Sequence, residues 1–109
     1  MGLTKSEIFT NEQNQIATVA KAFAHPARVA ILQHIINSNT CICGDLVEEI
    51  GLAQATISQH LRELKNIGLI KGNIEGTSVC YCIDEDNWTN AKDLISQFLD
   101  YESKKPNCC

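Results

Sequence analysis

Apolar residues recur along this chain with two different periods. Between Ile8 and Phe23, the residues Ile16, Val19, Ala20 and Phe23 fall at i, i+3, i+4 and i+7, which makes one stripe on a helix. His25-Pro26 breaks that pattern, because the residue before a proline is pushed out of the α region. Pro26 suits the first position of a new helix, where its missing N–H costs nothing. This second helix runs to about Asn37 and is apolar nearly all round (Val29, Ile31, Leu32, Ile35, Ile36), so it is expected to be the buried central one. Asn37-Ser38-Asn39 reads as a turn, and Cys41-Ile42-Cys43 has room only for a short strand.

A third helix is expected to open at Asp45, with Leu46, Val47 and Ile50 inward, and to end at Gly51, which is free to take a left-handed conformation. The fourth, about 54–67, carries Ile57, Leu61 and Leu64 as its inward stripe and closes at Gly68. The period then switches to two. Over about 69–83 two strands flank a glycine turn, with Val79, Tyr81 and Ile83 on one face and Ser78, Cys80 and Cys82 on the other. Asp84 is placed to cap a last helix of about 85–103, whose first turn carries Glu85 and Asp86 at the positive end of the helix dipole. Trp88, Ala91, Ile95, Phe98 and Glu102 follow at helical spacing, and the tail 104–109 is too short and polar to fold alone.

With 109 residues, 44% of them hydrophobic, the chain is expected to be one domain, 1–109, mainly α with a small β-wing. A core of this size is adequate but not generous, which favours a partner subunit. Neither a signal-peptide core nor a membrane span is visible, so the expected location is cytoplasmic. In that compartment six cysteines are not expected to form a disulfide framework, which leaves metal, metalloid or redox chemistry beside plain packing. There is no nucleophile–base pair, phosphate loop or paired acid to suggest an enzyme.

Charge is less of an obstacle to nucleic acid than the net −4 implies. Residues 54–74 carry Arg62, Lys65 and Lys71 against Glu63 alone, a local +2, so the rest of the chain holds −6. Phosphate attraction depends on the charges that face the duplex. With Ile57, Leu61 and Leu64 inward, the outer arc of the fourth helix is assigned Gln54, Thr56, Ser58, Gln59, His60 and Arg62. Gln bonds adenine and Arg bonds guanine bidentately, while Ser and Thr serve bases or phosphates. The first half of such a helix does most base reading, which favours Gln54, Thr56, Ser58 and Gln59 and leaves Arg62, Lys65 and Lys71 for phosphates. The alternative is an ordinary solvated polar face. The wing tip, Gly72 to Thr77, is only weakly cationic, and Glu75 opposes strong contact there.

The order helix, helix, short strand, helix, helix, two-stranded wing, helix (α-α-β-α-α-β-β-α) is that of the winged helix–turn–helix. Over almost its whole length the chain resembles the ArsR/SmtB family of small dimeric repressors. The stretches that carry the resemblance are AHPARVAIL, ICGDLVEEIGLAQATISQHLRELKNIGLI and the wing ending GTSVCYCI. Ala53 departs from it, since the family usually has a capping Ser there, at about 1 kcal/mol of local helix stability. The resemblance implies a homodimer built on the first and last helices (Trp88, Ile95, Phe98, Leu99). It also implies binding to double-stranded operator DNA with no required cofactor, and release by an inducer.

The cysteines come as three pairs. Thiophile-sensing relatives carry a C-V-C just before the Asp-Leu of the third helix, but here that register is shifted by one. Ile42 and Gly44 hold the family's ligand positions, and Cys41 and Cys43 are read as core residues unless a bulge restores the register. Cys80 and Cys82 are expected on the more exposed strand face, about 6.6 Å apart at strand rise, which strains a shared metal site. A Cys41/Cys43/Cys80/Cys82 cluster stays open, because the first strand has the means to pair with this one. Cys108 and Cys109, flanked by Lys104 and Lys105, are the preferred ligands, since soft thiolates suit thiophilic As(III) or Sb(III) and the resemblance includes a vicinal pair near the last helix. The expected inducer is therefore arsenite, antimonite or a methylated arsenical, with a third sulfur from another pair or subunit. Incidental thiols on a disordered tail are the alternative.

The family's zinc site on the last helix lacks both histidines here, since Trp88 and Leu99 stand in their places. For His25 and His34 a capping or packing role is expected. A dithiol redox or persulfide sensor would need a cysteine where this chain has Gln33, although Cys41 with Cys108 or Cys109 is conceivable. An inducer-independent DNA-binding regulator, in which every cysteine is structural, is the other alternative.

Overall fold

The computed structural model describes residues 5–44, 46–74, 76 and 79–102. Its elements are α1 (Lys5–Ile8), α2 (Asn11–Ala22), α3 (Pro26–Ser38), β1 (Ile42–Cys43), α4 (Val47–Ile50), α5 (Gln54–Ile67), β2 (Ile70–Asn73), β3 (Cys80–Ile83) and α6 (Glu85–Leu99). No helix among the described residues is long and apolar enough to cross a membrane.

Several helix boundaries have a local cause. Thr10 and Gln13 form a reciprocal capping box at the start of α2, which separates α1 from it. His25 caps α3 by accepting the Ala27 N–H on Nδ1 at 3.1 Å, with Pro26 in the first turn. Gly68 stops α5 at φ 99°, where its N–H still donates to the Leu64 and Lys65 carbonyls. Asp84 accepts the Asn87 N–H at 3.2 Å and so caps α6.

The core lies between α3 and α5. Ile31, Leu32 and Ile35 meet Ile57, Leu61 and Leu64, and Leu46, Leu69, Ile70 and Tyr81 seal the sheet side. Ile36, on the same central helix, is left exposed. In α2 only Ala22 is buried and Val19 packs on the core, whereas Ala20 and Phe23 of the expected stripe face outward within the chain. The last helix closes at Leu99, four residues short of the expected end. The third helix is also shorter than expected, a single turn starting at Val47. Buried Leu46 is its N-cap residue and makes no side-chain cap bond, and Asp45 lies outside the described residues.

The sheet is antiparallel with strand order β1-β3-β2. Ile42 and Gly72 flank Tyr81, and Ile70 pairs with Ile83, so these residues share the core-facing side. A Cβ at Gly72, whose φ is 119°, would overlap the Cys80 carbonyl oxygen and come within 2.9 Å of the Tyr81 Cα. Only glycine lets the two wing strands approach this closely.

That register corrects the assignment of Cys41 and Cys43 to the core. Tyr81 is buried and acts as the anchor of the sheet, and a two-residue strand must follow its partner. Ile42 therefore turns inward and both cysteines are exposed.

Candidate nucleic-acid interface and cysteine cluster

Along α5, Ile57, His60, Leu61 and Leu64 are buried, so the opposite arc is set by geometry at 100° per residue. Gln59 and Arg62 lie near its centre, Ser58 is half-buried beside them, and Gln54 and Thr56 are exposed on its flanks. The Gln54 amide donates to Ser58 Oγ at 3.2 Å. Lys65 Nζ donates to the Gly72 carbonyl at 2.7 Å, which ties the end of the helix to the wing. Around that tie Arg62, Lys65, Asn66 and Asn73 line a groove of about 260 Å³. Neither asparagine was singled out from the sequence. Asn66 is four residues beyond Arg62, and that spacing was the available signal.

His60 does not belong to this arc. It is buried, with its ring 4.5 Å from that of His25, and its Nδ1 accepts from Arg28 Nε at 3.3 Å. Arg28 also donates to the Lys21 carbonyl at 2.8 Å, so one guanidinium joins the end of α2 to α5. Burial first, then the neighbouring His25 and Arg28, lowers the His60 pKa from its ordinary value. A neutral ring suits a group that accepts from a cation. The sequence signal was present, because His60 follows Ile57 by three and precedes Leu64 by four.

Lys71 is also separated from α5. It stands directly opposite Cys82, on the outer face of the sheet. On that face the antiparallel register gathers four of the six cysteines. Cys43 pairs with Cys80 across β1 and β3, their α-carbons 4.1 Å apart, and they form a disulfide. One step along, Cys41 stands opposite Cys82 and the two thiols are hydrogen-bonded. That bond, reinforced by burial, raises the Cys82 thiol above its ordinary value, against a smaller lowering by Lys71. The expectation of wholly unbridged cysteines is thus corrected: the strand pairing gathers four cysteines on one face but bridges two of them, so they do not form the four-thiolate site left open from the sequence.

With Cys43 and Cys80 bridged, no group of three or more His, Cys, Asp or Glu among the described residues is placed to hold a metal ion. Two thiols, Cys41 and Cys82, are left side by side. They open onto a cleft of about 500 Å³ between the end of α3, the sheet and the start of α6. Cys108 and Cys109 lie outside the described residues.

The α6 end of the molecule is joined to α5 through Asn87. Its amide donates to the Gly68 carbonyl at 2.9 Å and to Asp84 Oδ2 at 3.3 Å, and the Asp84 N–H donates to the Leu69 carbonyl. The last helix and the closing turn of α5 therefore share one hydrogen-bonded junction.

Comparison with known proteins gives the frame for these features. Residues 25–71 match the family described as bacterial regulatory protein, arsR family. The chain is 38% identical to the helix–turn–helix transcriptional regulator NmtR of Mycobacterium tuberculosis over 79% of its own length and 65% of that protein, so it spans about two thirds of that relative. It is 39% identical to MJ1325, an uncharacterised regulator of the same type from Methanocaldococcus jannaschii, over 74% of this chain and 91% of that one. Among solved structures, the cadmium metal-sensor CmtR of Mycobacterium tuberculosis aligns with a TM-score of 0.52 at 27% identity, covering 86% of this chain and 97% of the other.

Proposed function

The chain belongs to the ArsR family of bacterial regulatory proteins, a DNA-binding and not an enzymatic family, and from that premise we propose a thiophile-responsive transcriptional repressor. It binds its operator as a homodimer. Gln54, Thr56, Ser58 and Gln59 read base edges, and Arg62 and Lys65 hold phosphate. Lys71 belongs to the phosphate set only if the duplex reaches the wing. A soft ion or metalloid, arsenite or antimonite foremost, is captured by cysteine thiolates and favours a form with misplaced recognition helices. The observation that carries this reading is the pair of free thiols, Cys41 and Cys82, on one sheet face, joined through β2 and the Asn87 junction to the end of α5. Cys108 and Cys109 remain candidate donors. A coupling of about 1–3 kcal/mol lowers operator affinity roughly 5- to 150-fold.

Fluorescence anisotropy on DNA from the protein's own upstream region tests it, with arsenite, antimonite, zinc and a persulfide donor as titrants. Release by arsenite or antimonite at stoichiometric levels is expected. Gln59→Ala should cost about 1–3 kcal/mol of specific binding. Tight binding that ignores every thiophile would sink the sensor and leave the regulator. The Cys43–Cys80 disulfide favours one second reading, a thiol-redox repressor. There a peroxide or persulfide takes two electrons from the thiol pair, two protons leave, and operator affinity follows the redox state instead of the metalloid.

A further inference from the structure

We propose that Cys41 and Cys82, with the cleft they border, form a binding site for a trivalent arsenical bearing one organic substituent. This deepens the thiophile-responsive reading above and rests on it, naming both the site and the ligand class.

The number of available sulfurs sets the class. Inorganic arsenite is fully satisfied by three sulfurs, but a monosubstituted arsenical already spends one valence on carbon and takes two. Two are free: Cys41, just before β1, and Cys82 on β3 border the same cleft and are hydrogen-bonded to each other, while Cys43 and Cys80 are tied to one another. Capture needs no redox partner. The hydrated arsenical loses two As–O bonds and gains two As–S bonds. Each thiol proton leaves with a hydroxide as water, and arsenic stays trivalent.

The cleft fits the remaining substituent. Ile36, Ile83 and Trp88 supply apolar lining for an organic group, within a volume of about 500 Å³. Ile36 is 46% exposed, an unusual state for a large residue on the central helix, and it sits at this cleft. Lys71 and Glu85 line the cleft too and keep it wettable. A second groove, about 640 Å³ between α2 and α6, has no cysteine in its lining.

Position gives the site a consequence. Cys82 is two residues before Asp84, whose N–H bonds the Leu69 carbonyl and whose side chain holds Asn87 against Gly68. Trp88, the chain's one tryptophan, lines the cleft and belongs to α6. A ligand bridging β1 to β3 therefore bears on the junction that closes α5.

The test uses the full chain with Cys43, Cys80, Cys108 and Cys109 replaced by Ser, so that Cys41 and Cys82 are the remaining thiols, and phenylarsine oxide as the probe. Intact mass should rise by one phenylarsenic group per chain, Trp88 emission should be quenched, and operator affinity should fall at least about 5-fold. Adding Cys82→Ser should abolish all three, while operator binding without the arsenical reports that this variant is folded. Equal capture of inorganic arsenite by the two-thiol protein would overturn the ligand class. Operator release that survives Cys41→Ser with Cys82→Ser in the otherwise natural chain, and fails in the two-thiol protein, would overturn the site and leave the thiophile-responsive repressor standing. Release from no form of the protein, by phenylarsine oxide or arsenite, would overturn both.

Discussion

Helices α5 and α6 are nearly equal in length and both amphipathic, yet their apolar faces meet opposite fates. In α5 the stripe is consumed inside the chain, with Ile57, Leu61 and Leu64 all buried against α3 and the sheet. In α6 only Ala91 is buried. Trp88 and Ile95 are half covered, and Phe98 and Leu99 are 62% and 67% exposed. Phe9 and Phe23 are exposed on the N-terminal segments, and Phe23 meets Trp88 edge to face at 6.4 Å. The difference separates two fates of one pattern: α5 spends its apolar stripe inside the chain and presents a polar arc, whereas α6 leaves apolar surface that the chain itself does not cover. A second copy of this chain is the occupant the proposed repressor requires.

Substitutions test this contrast. The largest effect is expected at Leu64→Ala, which empties a fully buried site between α3 and α5 and should lower the unfolding free energy by about 2–5 kcal/mol in urea titrations followed by circular dichroism. On α6, Phe98→Asp together with Leu99→Asp should leave the helical signal of each chain intact and halve the mass seen by sedimentation equilibrium. A mass unchanged by these charges would place α6 outside the dimer interface. A smaller gain is expected at the start of α5, where Ala53 offers no side chain to the first turn. Ala53→Ser should add about 1 kcal/mol, read as a higher thermal midpoint.

The smallest effect concerns His60, where α5 meets α2 and α3. Its folded pKa lies below the ordinary 6.5, so the unfolded chain binds the proton more readily. The associated stability is complete above pH 6.5 and is lost as pH falls through the lower folded value. His60→Gln should flatten that part of the stability profile, and a slope identical to the natural protein's would assign it to other groups.

Much of the fold was legible. Proline at 26, glycines at 51 and 68 and the change of period after Gly68 mark boundaries that depend on neighbouring backbone alone. The polar arc of α5 was mostly legible for the same reason. His60 reads by its polarity as part of the outer arc, but its spacing from Ile57 and Leu64 carries it to the buried face. Lys71 was grouped with α5 by proximity in the chain, although a strand alternates its faces at each residue.

The sequence by itself determined the succession of elements from α2 onward and the inward stripes of α3 and α5. These follow from local dihedral preferences and periodicity. Tertiary structure alone decided what the cysteines become. Ile42 faces the core because Tyr81 across the ladder does, and that single pairing brings Cys43 to Cys80 and Cys41 to Cys82. No pattern within residues 41–43 contains that information, because the face of so short a strand is set by the partner it joins, 37 residues away.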